Sequence, residues 1–223
     1  TYSRYRSLYI PFTFVDSSDN ESLMHLALKR LFAIKEKGVL NRPDFFFLVR
    51  NPVVQAARGI LQDEVSNWEG WISALNIYRD RKLDDNSVEK NWIQSVKSLL
   101  LAKLSNVAID FSEETIKPFS DIASSDNESV CRFIDCIDDI EEWLENDEEV
   151  SSSIDEAFNK IEKWLLMNKV PSGLGNENFI FQKVIKAKDD LKWLFAAGSN
   201  NIPWKIFSKT LLYASSKAKY NTG

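Results

Sequence analysis

Residues 125–144 read SDNESVCRFIDCIDDIEEWL. Val130, Phe133, Ile134, Ile137, Ile140 and Leu144 recur every three or four positions, the period at which side chains share one face of a helix. Ser125-Asp126-Asn127-Glu128 stands in front of them, a hydroxyl followed three residues later by Glu, which is the pattern of a capping box. The stretch therefore predicts an amphipathic helix with one apolar face and one acidic face. Neighbouring stretches repeat this pattern, and the fold class follows from that repetition.

Downstream, Ser153-Ile154-Asp155-Glu156 opens a helix carrying Phe158, Ile161 and Leu165. Pro171-Ser172-Gly173-Leu174-Gly175 reads as a loop. The next helix carries Phe181, Val184, Leu191 and Phe195 and ends at Gly198, and a last one starts at Pro203, the favoured first helical residue, with Trp204, Phe207 and Leu211. Upstream, Ile93, Val96, Leu100, Leu104 and Val107 stripe a long helix, and Trp68, Trp71, Ile72, Leu75 and Tyr78 stripe another. Asn51-Pro52 begins a helix running to about Val65. Pro43-Asp44 leads into Phe45–Val49, which fits a buried strand or, better, a short helix. Ser18-Asp19-Asn20-Glu21 is read as the capping box of a helix reaching Lys37, with Gly38 to end it. Leu8 to Val15 is the one strand candidate, and Pro11 confines it to an edge or an arm.

The expected fold is all-α: a multi-helix bundle or irregular array of about eight helices, with room for a short N-terminal β-arm. Residues 111–124, interrupted by Pro118, are expected to act as a hinge between an N-terminal helical lobe at 1–110 and a C-terminal lobe at 125–223. A single domain is the alternative. The hexapeptide Ser-Ser-Asp-Asn-Glu-Ser occurs at 17–22 and again at 124–129. Duplication would explain it, but the residues that follow match poorly, so two capping signals written in the same letters is the simpler account.

Composition narrows function by exclusion. Seven glycines stand beside seven tryptophans in 223 residues, where glycine averages ~7% of a chain. Glycine supplies the backbone freedom that phosphate-binding loops require. Gly173-Leu174-Gly175 lacks both a third glycine and the lysine of a P-loop, so no nucleotide fingerprint can be assembled. No apolar run approaches the ~20 residues of a membrane span, and Thr1 to Ile10 does not read as a secretion signal. A first residue other than Met is what an excised or processed chain would show. Cys131 and Cys136, five apart on one helix, point to different faces and suit a reducing, intracellular setting. One histidine and two divergent cysteines make no zinc site, and no cofactor is expected.

Candidate functional residues fall into three groups. The acidic run from Asp135 to Glu149 includes Asp138, Glu142 and Glu145, and reads as a solvated face or a dock for a basic partner. Asp138 and Glu142, four apart, would also be the place for a Mg²⁺-dependent carboxylate enzyme. Charge is segregated: residues 61–160 carry 9 Lys/Arg against 24 Asp/Glu, and residues 161–223 carry 10 against 4. Lys205, Lys209, Lys217 and Lys219 could contact a phosphate backbone without reading sequence, but no arginine follows Arg132. Trp68, Trp71, Trp143, Trp164 and Trp193 adjoin apolar stripes and are expected in the core. Trp92 and Trp204, near helix starts, are expected to be partly exposed and to mark an interface. His25, the only histidine, is expected to be structural. The resulting expectation is a non-enzymatic subunit or regulatory adaptor of an intracellular assembly, with a protein partner or a second copy. Nucleic-acid association is the alternative and a carboxylate enzyme the third reading.

Overall fold

The computed structural model describes residues 21–75, 77, 92, 96, 127–144, 149–150, 154–165, 175–195 and 202–216. Among these it is all-α, as expected: α1 (Leu23–Lys37), α2 (Arg42–Val49), α3 (Pro52–Arg58), α4 (Gln62–Ala74), α5 (Asn127–Leu144), α6 (Ile154–Leu165), α7 (Gly175–Phe195) and α8 (Trp204–Ser216). Two short strands, β1 (Glu149–Val150) and β2 (Ile202–Pro203), pair antiparallel with Glu149 opposite Pro203 and Val150 opposite Ile202. They tie the chain before α6 to the chain before α8. Pro203 thus ends a strand, and α8 begins one residue later. The expected β-arm at residues 8–15 lies outside the described residues.

Local signals explain most boundaries and correct two. α1 starts at Leu23, so its cap falls four residues after the expected Ser18. Ser22 is the actual N-cap, its hydroxyl accepting from the His25 N–H at 2.9 Å. Gly38 closes the helix in the left-handed conformation, φ 66°, as expected. The helix expected from Asn51 to Val65 divides in two. Asn51 caps it by accepting from the Val53 N–H, but Gly59 adopts φ 65° and stops α3 at Arg58. α4 then restarts at Gln62, with the Glu64 carboxylate accepting from the Leu61 N–H at 2.8 Å. Phe45–Val49 is helical, with Pro43 in the first turn where its missing N–H costs nothing.

α1 is the central helix. It packs against α2, α3, α5, α6, α7 and α8, and Met24, Ala27, Leu28, Leu31, Phe32 and Ile34 on it are all buried. Residues on both sides of 111–124 share one core. Residues 111–124 themselves are outside the described residues.

Aromatic side chains fill that core in two clusters. Phe133 of α5 sits 5.7 Å from Phe45, 5.5 Å from Trp68 and 5.9 Å from Trp71, edge to face in each case. At the other end of α5, Trp143 stacks near Phe32 and meets Trp204 edge-on at 5.2 Å. Such pairs add ~0.5–1.5 kcal/mol each beyond the area they bury. Buried indole N–H groups need acceptors, and three find them: Trp68 donates to the Ser129 hydroxyl, Trp92 to the Leu40 carbonyl and Trp143 to the Leu31 carbonyl.

The repeated hexapeptide is put to two uses. Ser22, last residue of the first copy, caps α1 from outside. Ser129, last residue of the second, lies inside α5 and receives the Trp68 indole.

Candidate functional site

His25 lies on α1 and Ser215 on the last turn of α8, with Nδ1 to Oγ at 2.8 Å. Ser215 is 1% exposed and donates its proton to the Leu212 carbonyl. With the hydroxyl proton on the Leu212 carbonyl, Nδ1 is the donor to Oγ, the reverse of what a base activating a serine needs. Glu21 is 3.9 Å from Nε2, too far for a hydrogen bond. The arrangement is a structural tie between α1 and α8. Burial lowers the His25 pKa, partly offset by the Glu21 charge.

Two carboxylates of the acidic helix α5 are neutralised by cations of other helices. Asp139 pairs with the Arg58 guanidinium and with Lys163. Glu142 pairs with Lys163 at 3.0 Å and Lys160 at 3.3 Å, and these two lysines, Lys163 first, hold its carboxyl below the usual range. Asp138 is exposed. Partial desolvation, then the neighbouring Asp135 and Asp139 charges, push its pKa up. Asp138 and Glu142 therefore sit in opposite electrostatic settings, one crowded by acids and one clamped by lysines. Among the described residues no three His, Cys, Asp or Glu side chains are grouped as a metal would require. Glu145, the third acidic candidate, lies outside the described residues.

The two cysteines also differ. Cys131 is exposed and Cys136 is buried. Burial pushes the Cys136 thiol up to about 11, against the pull of the Arg58 guanidinium. Arg58 itself lies 4.6 Å above the Trp164 ring and donates to the Asp135 carbonyl. No helix among the described residues is long and apolar enough to cross a membrane.

Two tryptophan assignments are corrected. Trp92, expected as an exposed contact, is 1% exposed. It shares a helix face with Val96, four residues on, which is buried too. Trp193, expected in the core, is 78% exposed. It follows Leu191 by two positions, which rotates it about 200° from the buried stripe. Trp204 is half-buried against Phe32, Trp143 and Phe207, and its indole N–H has no hydrogen-bond partner among the described residues.

Among the described residues, five of the seven large exposed apolar side chains lie on α7 and α8, Phe47 and Leu61 being the other two. Phe179, Trp193 and Leu194 project from α7, and Ile206 and Tyr213 from α8. On α7, Phe179, Lys183, Lys186, Asp190 and Trp193 recur at alternating steps of four and three, so they form a second stripe along the side turned from the core. A cavity of about 310 Å³ opens between the helices, lined by Lys183, Lys186, Ala187, Asp190, Thr210, Tyr213 and Ala214. Lys205 and Lys209 are exposed on α8; Lys217 and Lys219 lie outside the described residues. Sequence reasoning had named these lysines but not the aromatic stripe beside them. No family model matches the chain, and no curated protein or solved structure is significantly similar to it.

Proposed function

We propose that this chain is a non-enzymatic protein–protein interaction module, a subunit or regulatory adaptor of an intracellular assembly, and that it meets its partner through the α7–α8 face. One observation carries the reading: Phe179, Trp193, Leu194, Ile206 and Tyr213 are exposed on two adjacent helices, with Tyr213 lining the groove between them. Isolated exposed apolar residues need no explanation, whereas a set on one face marks a contact surface. Trp and Tyr are also the residue types that dominate interface energetics. The two free cysteines agree with a reducing compartment.

The test is affinity purification from native lysate with wild type and with Trp193→Ala/Tyr213→Ala. Wild type should recover a defined partner or a second copy of itself, and the double variant should lose it while keeping its helical circular dichroism. Strictly monomeric behaviour with nothing recovered would refute the reading.

The exposed Lys205 and Lys209 beside aromatic side chains support a second reading, sequence-independent nucleic-acid binding. Asp190 in the lining of the groove and the lack of arginine after Arg132 weigh against it. It requires salt-sensitive oligonucleotide binding that disappears in Lys205→Glu/Lys209→Glu.

A further inference from the structure

The α7–α8 face carries information about what occupies it, and the step taken here rests on reading that face as a contact surface. Shape comes first. Ala187 and Ala214 are small, and between them the two helices leave a recess of about 310 Å³, at the lower end of the ~300–1,000 Å³ of sites that take apolar groups. The Lys183 ammonium folds over the Phe179 ring at 4.5 Å, so its stem adds apolar wall while its charge stays at the rim. Phe179 and Trp193, at the two ends of the stripe, are fourteen positions apart, about 21 Å or four helical turns.

Charge comes second. Several lysines are taken up by carboxylates: Lys160 by Glu142, Lys163 by Asp139 and Glu142, and, on α7 itself, Lys188 by Asp189 and Lys192 by Asp155. Lys186, Lys205 and Lys209 are exposed and have no ion-pair partner among the described residues. α8 contains no Asp or Glu at all. Lys183 and Lys186 therefore stand in the wall of an apolar recess, and Lys209 stands one turn before Tyr213 at its α8 rim. A phosphate backbone or an anionic bilayer would use the cations but would bring its charge against Asp190, which lines the recess. A helix satisfies its own backbone and can present apolar side chains to the recess with carboxylates on either flank.

We infer that the groove between α7 and α8 receives an acidic amphipathic helix of a partner protein. Its apolar residues, spaced i, i+3 or i+4, and i+7, seat along the line from Phe179 to Trp193, and its Asp/Glu side chains meet the lysines of α7 and α8.

A displayed library of randomised helical peptides, selected on the full chain, tests this. Enriched sequences should carry apolar residues at helical spacing with Asp or Glu flanks. A synthetic peptide of the enriched type should bind at least about tenfold more weakly to Lys183→Glu/Lys186→Glu/Lys209→Glu and to Trp193→Ala. Should the triple variant melt early, salt gives the same readout on wild type, where binding should weaken about tenfold between about 0.05 M and about 0.5 M. The inference falls if nothing is enriched, if the enriched peptides are basic, or if charge reversal and salt leave binding unchanged. It also falls if phosphatidylserine vesicles or an oligothymidylate bind the face more tightly than the peptide. A native partner lost with Trp193→Ala while the library yields no acidic helix would leave the interaction-module reading standing and remove only this one. A wild type that recovers no partner removes the module reading, and the library then reads the groove alone.

Discussion

Glu177, in the first turn of α7, accepts hydrogen bonds from the backbone N–H groups of Met24 at 2.8 Å and Leu23 at 3.0 Å. α1 has no acidic residue in its own first turn, and its free N-terminal donors are met by a carboxylate 153 positions away. Glu177→Ala strands two donors near the core, and the expected loss is about 1–3 kcal/mol in urea unfolding. Glu177→Gln keeps an acceptor oxygen and should lose less. Equal stabilities for the alanine variant and wild type would show that water replaces the carboxylate without penalty.

Glu64 of α4 is buried and held by a two-pronged contact from Arg132 of α5. Burial pushes its carboxyl up, but Arg132, the Leu61 N–H and Ser129 together outweigh that and hold it below the ordinary value. Arg132→Met keeps the stem and removes the charge, leaving Glu64 buried without its countercharge. The expected loss at pH 7 is about 2–3 kcal/mol, under the ~3–5 of a fully buried pair because the Arg132 side chain is 28% exposed. The wild-type contribution is present above the ordinary glutamate pKa and is lost as pH falls through the lowered one. Denaturation at pH 7 and pH 4 should therefore show the gap between variant and wild type narrowing in acid.

His25 gives a second pH signature. Its folded pKa lies below the ordinary value of about 6.5, so the folded state binds fewer protons than the unfolded chain in that region. Stability should fall as pH drops below about 6.5 towards the folded pKa. Glu21 opposes the shift and Lys29 assists it, while Ser215 and the Leu212 carbonyl face the ring as neutral partners. In melts between pH 8 and pH 5.5, His25→Gln should flatten this decline. An unchanged slope would place the acid sensitivity elsewhere.

Two aromatic substitutions should differ sharply. Phe133→Ala removes the ring around which Phe45, Trp68 and Trp71 are arranged, at an expected cost of about 3–5 kcal/mol. Trp193→Ala alters a side chain that is 78% exposed and should shift stability by no more than about 0.5 kcal/mol. Chemical denaturation of the two variants checks both. A large loss for Trp193→Ala would mean that it supports the fold, and the α7–α8 face would lose the most exposed of its contacts.

What could be read from the residues alone was periodicity. The apolar steps from Val130 to Leu144, and the Gly38 stop after Lys37, carry their structural meaning within a few residues, and both appear in the fold as expected. Gly59 carried the same kind of signal and went unused, so one expected helix became two. Trp193 was also within reach: two steps from Leu191 is the wrong angle for a core residue. The partners of polar groups were not legible. Nothing local to Glu177 points to Leu23 and Met24, and nothing in the acidic run separates Asp139 and Glu142, neutralised by Arg58 and lysines of α6, from the exposed Asp138. These pairings depend on distances set only when the helices assemble.

The central position of α1 also has a meaning in time. It precedes every helix that surrounds it, and its fixings come from far along the chain: the Trp143 indole on the Leu31 carbonyl, Glu177 at its first turn, Ser215 against His25. During synthesis at ~5–20 residues per second, α1 leaves the ribosome many seconds before α7 and α8 exist to enclose it. Its apolar faces spend that interval without their native cover. The first of these helices to be made is the last to be completed.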